Sequence, residues 1–422
     1  MFEYALRKKP LADKTDNANT GLSDGITYDV AIAGAGPAGA FLALKLVRQG
    51  FKVAVFETRA QTKRKVCGDY ICPPGKNLLI EAGLSELVAR ARPIRFMKVV
   101  TSSGQEVDCP YPDSAQGIAI SRLDLDKTLI EAAQKAGAKF YFGEAITDAK
   151  LVQKNNLDTS MVSITTQKQK LIVKLLVGAD GRSSWVARHF ALTKNIKSDR
   201  VALRAFFTSD YKNSESAELH LLNDHKYIGV DHLSDFETSV AIVLPKAELQ
   251  KFSSLQECFI ENLKSAKNLS ARLKKHVAEI ASENLTMHIE SSSPLTHRVS
   301  SVFKHSVALI GDAAGYIDPI TGEGNYMALV TATKLAQLLK APATLDSAEA
   351  LNFSLKLYST WHKKTVQTKM LINLGFQSLI KHPSLVNIVA SHLAKKESRR
   401  RAFIEVVGNV STPFKMLPHI LA

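Results

Sequence analysis

Between Tyr28 and Glu57 the residue types and their spacing can do chemistry. An apolar strand, Val30 to Ala33, runs into Gly34-x-Gly36-Pro37-Ala38-Gly39. A helical pattern follows, with Phe41, Leu42, Leu44, Leu46 and Val47 on its apolar side, and it stops at Gly50. A second strand, Val53 to Phe56, delivers Glu57, with Thr58 and Arg59 after it. This is a βαβ unit with an acid about twenty residues past the glycines, the pattern that binds a dinucleotide. Gly34 permits the tight turn, Gly36 lets backbone approach a pyrophosphate, and Gly39 lets helix pack on strand. The start of the helix offers unpaired N–H groups and a positive dipole end to phosphates. Glu57 can accept the hydroxyl protons of an adenosine ribose and would repel a 2′-phosphate.

The elements that must position this unit fit a large chain. At 422 residues, with 45% hydrophobic and 23% charged residues, it can bury more than one core. The N-terminal residues lack the apolar stretch of a signal peptide and read as a flexible tail. No apolar run outside the glycine-rich unit reaches membrane-spanning length. Four cysteines, Cys67, Cys72, Cys109 and Cys258, form neither a disulfide framework nor a CxxC pair, and no metal site is expected. A cytoplasmic protein follows, with the possibility of a peripheral membrane location. Net charge is +15, and residues 351–422 hold eight Lys and three Arg against two Glu. Their apolar runs, Met370 to Ile380, Leu385 to Leu393 and Ala402 to Val407, read as basic amphipathic helices. They suit an anionic membrane surface, a protein partner, or a cap with solvated basic faces. No nucleic-acid motif accompanies the charge.

Further along the chain, Val66 to Gly75 reads as a loop and Leu78 to Arg90 as a helix. Ile94 to Val100 and Glu106 to Tyr111 read as a hairpin, and Ser121-x-x-Asp124 as a capping box. A three-stranded meander ends in Gly178-Ala179-Asp180-Gly181-Arg182-Ser183. Short alternating strands between Ala202 and Leu244, then a helical run to Ile280, suggest an α+β insertion. Val307 to Ile310 is a buried strand leading into Gly311-Asp312-Ala313-Ala314-Gly315-x-x-Asp318-Pro319-x-x-Gly322-x-Gly324-Asn325.

With these motifs in order, the chain resembles the flavoprotein superfamily of class A monooxygenases and geranylgeranyl reductases, which also holds flavin halogenases. The resemblance spans roughly residues 28 to 345. It implies FAD as cofactor, with Asp312 on the ribityl chain and the Pro319, Gly322, Gly324, Asn325 loop facing the flavin pyrimidine. It also implies Gly311 at the strand end, Arg122 against phosphates or ribityl, and Asp180 in structure and nucleotide contacts together. Cys67-Gly68 leans toward the geranylgeranyl reductase branch. Cys67 reads as a flavin neighbour or a packed side chain, and Asp69 as a proton donor or an ordinary loop carboxylate; these two are the catalytic candidates. Of the histidines, His232 is the best gamble to border the substrate.

The departures are as informative. Tyr227-Ile228-Gly229-Val230-Asp231-His232 lacks the Trp and Pro of the isoprenoid-reductase segment, and the two tryptophans, Trp185 and Trp361, do not form a halogenase signature. No second glycine fingerprint exists for a resident nicotinamide, so NAD(P)H is expected only as a transient donor. The expected class is α/β: a Rossmann-type, glutathione-reductase-like FAD-binding domain with an inserted α+β substrate domain and a C-terminal helical tail. The expected boundaries are a flexible tail over 1–25, an FAD domain over 26–92, 118–195 and 300–345, a substrate domain over 93–117 and 196–299, and a basic helical region over 346–422. The expected activity is oxidation-reduction of a small, largely apolar molecule, by hydroxylation first and by double-bond reduction as the alternative. A flavoprotein that docks to a protein or membrane partner is the third reading.

Overall fold

A computed structural model describes residues 28–62, 68–153, 160–196, 198–208, 214–282 and 286–412. The expected 1–25 tail and Cys67 lie outside the described residues. The core of the molecule is a mainly parallel sheet. Its strands run in the order Phe303–Lys304, Val307–Leu309, Lys170–Gly178, Tyr28–Ala33, Val53–Glu57, Lys139–Phe142. Tyr28–Ala33 lies between strands that follow it by very different sequence distances, so its C-terminal end is a topological switch point, where such folds bind ligands. The strand Val30 to Ile32 is wholly buried, as a parallel strand covered on both faces must be.

Pro37–Arg48 follows it as a helix, with Pro37 in the first turn, where its missing N–H costs nothing. Eight of its residues before Val47 besides Pro37 are buried, because Arg122–Lys135 and Gly324–Leu339 pack beside it. The small residues Ala38, Gly39, Ala40 and Ala43 permit that crowding.

A second, seven-stranded sheet faces the ends of these strands. Its order is Glu290–Ser292, Arg200–Thr208, Glu237–Pro245, Tyr227–His232, Ser216–Leu221, Phe96–Val100, Glu106–Pro110. Alternation gives it two faces. Leu203, Phe207, Ile228, Val240 and Ile242 pack with Phe259 and Leu263 of the helix Leu255–Ser265. The opposite face looks toward the first sheet.

Several local expectations are corrected. Within Val66–Gly75, Tyr70–Ile71 is a strand and a helix begins at Pro73, because two prolines fit a first turn as well as a loop. The stretch from Leu78 to Arg90 is broken at Gly83, whose φ is +73°, between Pro73–Glu81 and Ser85–Arg90. Ser121 forms no side-chain cap on Arg122–Lys135. The carboxylate of Asp69 accepts the Arg122 N–H at 2.9 Å instead. Ala348–His362, in the basic C-terminal region, packs on the body: it buries Leu351, Leu355 and Tyr358 in the main core, and Tyr358 donates to the Leu309 carbonyl at 2.9 Å.

Candidate functional site

A cleft of about 580 Å³ opens at the switch point and extends to the second sheet. Its floor begins at the glycine turn. Gly34 has φ +103°, and a Cβ there would lie 2.5 Å from the Ala179 carbonyl oxygen. A Cβ on Gly39 would lie 2.0 Å from the Gly34 carbonyl oxygen, so the helix can approach only without a side chain. Gly36, Pro37 and Ala38 line the cleft; Gly39 sits behind them. Glu57 closes the turn by accepting the Ala35 N–H at 3.0 Å, and its other oxygen takes the Thr58 hydroxyl and the Arg59 N–H, each at 3.1 Å. Glu57, Thr58 and Arg59 all line the same end of the cleft.

The middle is charged. Arg122 reaches the cleft, but its guanidinium also grips Asp126, with Nε 2.9 Å and Nη2 3.3 Å from the carboxylate. Asp180 accepts the Val186 N–H at 3.0 Å with Oδ2, while its buried Oδ1 has no protein partner. Arg182 stands 3.9 Å from Asp312 and donates to the Ser292 hydroxyl at 2.5 Å. Burial pushes the Asp312 carboxyl up; Arg182 and then Arg122 pull it back. Gly311 lies behind Asp312 and donates its N–H to the Thr331 hydroxyl at 2.9 Å.

The far end is shaped by Pro319–Thr321, then Gly322 with φ +67°, then the start of Gly324–Leu339. No atom lies within 4 Å of a Cβ built on Gly324, which leaves this helix start open to the cleft. Asn325 donates to the carbonyls of Gly68 and Tyr70 at 3.1 and 3.2 Å, tying the helix start to the Gly68 loop. Asp318 is buried: it accepts the Ile320 N–H and the Tyr227 hydroxyl and lies 3.0 Å from Arg200. This links the loop to the second sheet.

That sheet forms the opposite wall. Ala202, Ala217, Gly229 and Ala241 put little or no side chain into the cleft, and Asp231 and Glu218 are the acids of the same wall. Strand alternation then turns His232 away. His232 is buried on the other face, 2.9 Å from the Thr238 hydroxyl. The sequence expectation for His232 is therefore corrected by one residue. Asp69 is corrected too. It is fully buried and does not line the cleft; Arg204 pairs with it at 2.5 Å, while Arg204 Nε donates to Ser239 at 3.1 Å. Its backbone N–H is directed at the Asp231 carboxylate. Burial first, then the negative Asp69 and more weakly Glu218, push Asp231 up to about 7, against the pull of Arg204. A carboxyl pushed toward neutrality in a cleft is a candidate for proton transfer. In the sequence it was one acid in an alternating strand, visible only once the register was known.

The residues present fit a flavin dinucleotide. The glycine turn leaves room that a side chain would fill, Asp180 Oδ1 awaits a donor, and a carboxylate and an open helix start flank the remaining space. Fold and cleft together define a flavin-binding oxidoreductase. Residues 27–366 match the FAD binding domain family, and the chain belongs to that family. Geranylgeranyl diphosphate reductase of Synechocystis is 26% identical over 403 residues, covering 90% of this chain and 89% of that protein. A 1H-pyrrole-2-carbonyl peptidyl-carrier-protein chlorinase of Pseudomonas fluorescens is 27% identical over 340 residues, covering 72% of this chain and 74% of that one. The crystal structure of P. aeruginosa PqsL with 2-aminobenzoylacetate superposes with a TM-score of 0.71 at 20% identity, covering 85% of this chain and 98% of PqsL. The protein is an FAD-dependent oxidoreductase.

Proposed function

We propose that the protein is a monooxygenase-type hydroxylase of a small, largely apolar organic molecule. The observation that carries this is the wall of Ala202, Ala217, Gly229 and Ala241 with Asp231 set into it, facing the glycine cradle across the cleft. Small side chains leave space for a flat group, and the Asp231 carboxyl stands beside that space. Bound FAD would supply two-electron chemistry and, when reduced, a partner for oxygen. The chain's own residues do the rest. The Gly34–Gly39 turn and the helix start at Pro37 would hold the pyrophosphate, Glu57 the adenosine ribose, and Asp312 the ribityl hydroxyls. The N–H groups around Gly322 and Gly324 would face the flavin pyrimidine and stabilise negative charge there. With a phenolic substrate, Asp231, as carboxylate, would take the proton of the phenol hydroxyl and so raise the nucleophilicity of its ring. NAD(P)H would dock transiently to supply electrons.

Asp231 in its protonated form also favours a second reading, in which it gives a proton to a substrate double bond undergoing reduction. Oxygen use separates the two. The FAD-loaded protein is offered NAD(P)H with a panel of apolar phenols and polyprenyl alkenes. Hydroxylation consumes oxygen in step with NAD(P)H and places labelled oxygen in the product. Full anaerobic turnover, with no label incorporated aerobically, would refute it in favour of the reductase.

The C-terminal helices support one more proposal, peripheral docking to an anionic membrane. Leu371, Leu385 and Ile388 are exposed on the segment that also carries Lys364, Lys381, Lys395 and Lys396.

A further inference from the structure

The loop that borders the far end of the cleft carries an acid that does not line it. Thr321, Gly322, Gly324 and Asn325 border the cleft, while Glu323 among them is buried behind the loop, 5% exposed. Glu323 holds the N-cap position of Gly324–Leu339, and its carbonyl accepts the Met327 N–H at 2.9 Å, yet its side chain makes no cap. A carboxylate at a helix start ordinarily turns onto the free N–H groups of the first turn, where the helix dipole favours it. Here it is drawn the other way. Asn409 donates its side-chain amide to Glu323 Oε1 at 2.6 Å, Lys369 Nζ lies 3.4 Å from the same oxygen, and Thr321 donates to Oε2 at 2.7 Å. Lys369 and Asn409 both come from the C-terminal helical region.

The grip is itself held in place. Lys369 also donates to the Val406 carbonyl at 2.6 Å, which ties Thr368–Leu379 to the end of Glu397–Val407. Asn409 follows that end with φ +63°, a left-handed turn that brings its amide to the loop. The turn lies close on Tyr111: a Cβ on Gly408 would lie 2.4 Å from the Tyr111 hydroxyl oxygen. Tyr111 bonds the Tyr70 hydroxyl, and Tyr70 packs on the loop, since a Cβ on Gly322 would lie 3.0 Å from its ring. Asn373 lies 2.9 Å from Thr321 Oγ1 and donates to the Ile317 carbonyl at 3.5 Å. The charge behind the loop is simple. Tyr70, Tyr111, Cys72 and Tyr326 all feel Glu323, but burial first of all raises each of them, the Cys72 thiol to about 12, so they stay neutral. One carboxylate is left, balanced by the Lys369 ammonium.

We propose that Lys369 and Asn409 are positioning residues for the flavin: by holding the Glu323 carboxylate off the start of Gly324–Leu339, they keep that helix start free for the flavin pyrimidine and set how strongly the site favours reduced flavin. This rests on the reading of the main cleft as the flavin site. It gives the C-terminal helices a task at the cofactor. Without Lys369 the carboxylate keeps its charge and is free to turn onto the N–H groups that the flavin would use. Without the charge of Glu323 the site loses an anion that opposes negative charge on a reduced ring.

The reduction potential of the flavin is measured in the full-length FAD-loaded protein, with dithionite as reductant and a reference dye. Lys369→Met should favour oxidised flavin and Glu323→Gln reduced flavin, each by about tenfold in the ratio of the two affinities, or about 30 mV in opposite directions for a two-electron couple. The double variant should return toward wild type, and Lys369→Arg, which keeps the charge, should stay near it. Loosened packing alone would move both single variants the same way. Asn409→Gly deletes the amide at a position whose left-handed backbone suits glycine, so the fold is spared. It should shift the potential in the same sense as Lys369→Met, weaken FAD binding about threefold or more on dilution, and speed deuterium exchange in peptides spanning residues 318–327. Single variants that shift the same way or not at all overturn the proposal; so does Asn409→Gly matching wild type in potential and exchange. Wild-type protein that takes up no flavin would instead refute the cleft reading, and this proposal with it.

Discussion

Replacing Asp231 by Asn isolates the charge of one carboxyl with little change in shape. In the folded chain this group is pushed from its ordinary 3.8 up to about 7. A shift of roughly three units corresponds to about 4 kcal/mol, a ceiling for what ionising Asp231 costs the fold. The sign follows from proton counting. Between about pH 4 and pH 7 the folded chain keeps this proton while the unfolded chain has lost it. Stability is therefore full below the unfolded value and declines as pH rises toward 7. Asp69, Arg204 and Glu218 face the same group, and Asp69 shares its Arg204, so the coupled acids will divide the effect. Half the ceiling, about 2 kcal/mol, would move Tm by about 2 °C in a chain of 422 residues. The assay is Tm against pH by circular dichroism, with and without FAD. Wild type should lose stability relative to Asp231→Asn as pH rises from 4.5 to 8. In turnover, the variant should lose the pH limb near 7 and about 100-fold or more in kcat. Parallel Tm curves across that range would refute the placement of a high-pKa acid in the cleft. Unchanged kcat with an unchanged pH profile would refute its role in proton transfer.

Other outcomes follow from the same geometry. Arg204→Met strands a buried Asp69 carboxylate and should cost about 3–5 kcal/mol in denaturant unfolding; adding Asp69→Asn should recover much of that loss. Asp312→Ala and Gly36→Val should each lose the yellow chromophore on purification while keeping native far-ultraviolet dichroism, and full flavin absorbance in both would place the cofactor elsewhere. A chain ended after Asp346 loses the buried Leu351, Leu355 and Tyr358. At about 2–5 kcal/mol for each large buried side chain, the loss is comparable with the whole stability of a domain, about 5–15 kcal/mol, so little soluble folded protein should accumulate. Vesicles containing anionic lipid should co-sediment more of the protein than neutral ones, and Leu385→Glu with Ile388→Glu should abolish the difference.

The parts readable from sequence were those set by short-range pattern. The βαβ unit showed because glycine spacing, helix period and a terminal acid fall within thirty residues. Gly311-Asp312 and the Pro319–Asn325 loop showed because turns of that kind need particular residues at particular places. Asp231 did not show, because which strand residue faces a cleft depends on how the strand pairs with Ala217 and Ser239 of its neighbours and on which face the cleft then forms. Asp69 looked like a loop acid for a similar reason. The partners that bury it, Arg122 and Arg204, arrive from residues 53 and 135 positions away. The C-terminal region showed its charge and its apolar runs. Its inner faces became meaningful only when the helices closed over Met97, Val99 and Leu219.

On this reading one cleft holds FAD along the glycine turn and leaves the substrate between the flavin and the small-residue wall. A crystal structure of the FAD-loaded protein tests it most directly. Adenosine is expected at Glu57, pyrophosphate at Gly34–Gly39, and the isoalloxazine beside Pro319–Gly324, with Asp231 across the open space above it. Flavin density in another place, or an isoalloxazine with Asp231 turned away from that space, would contradict it.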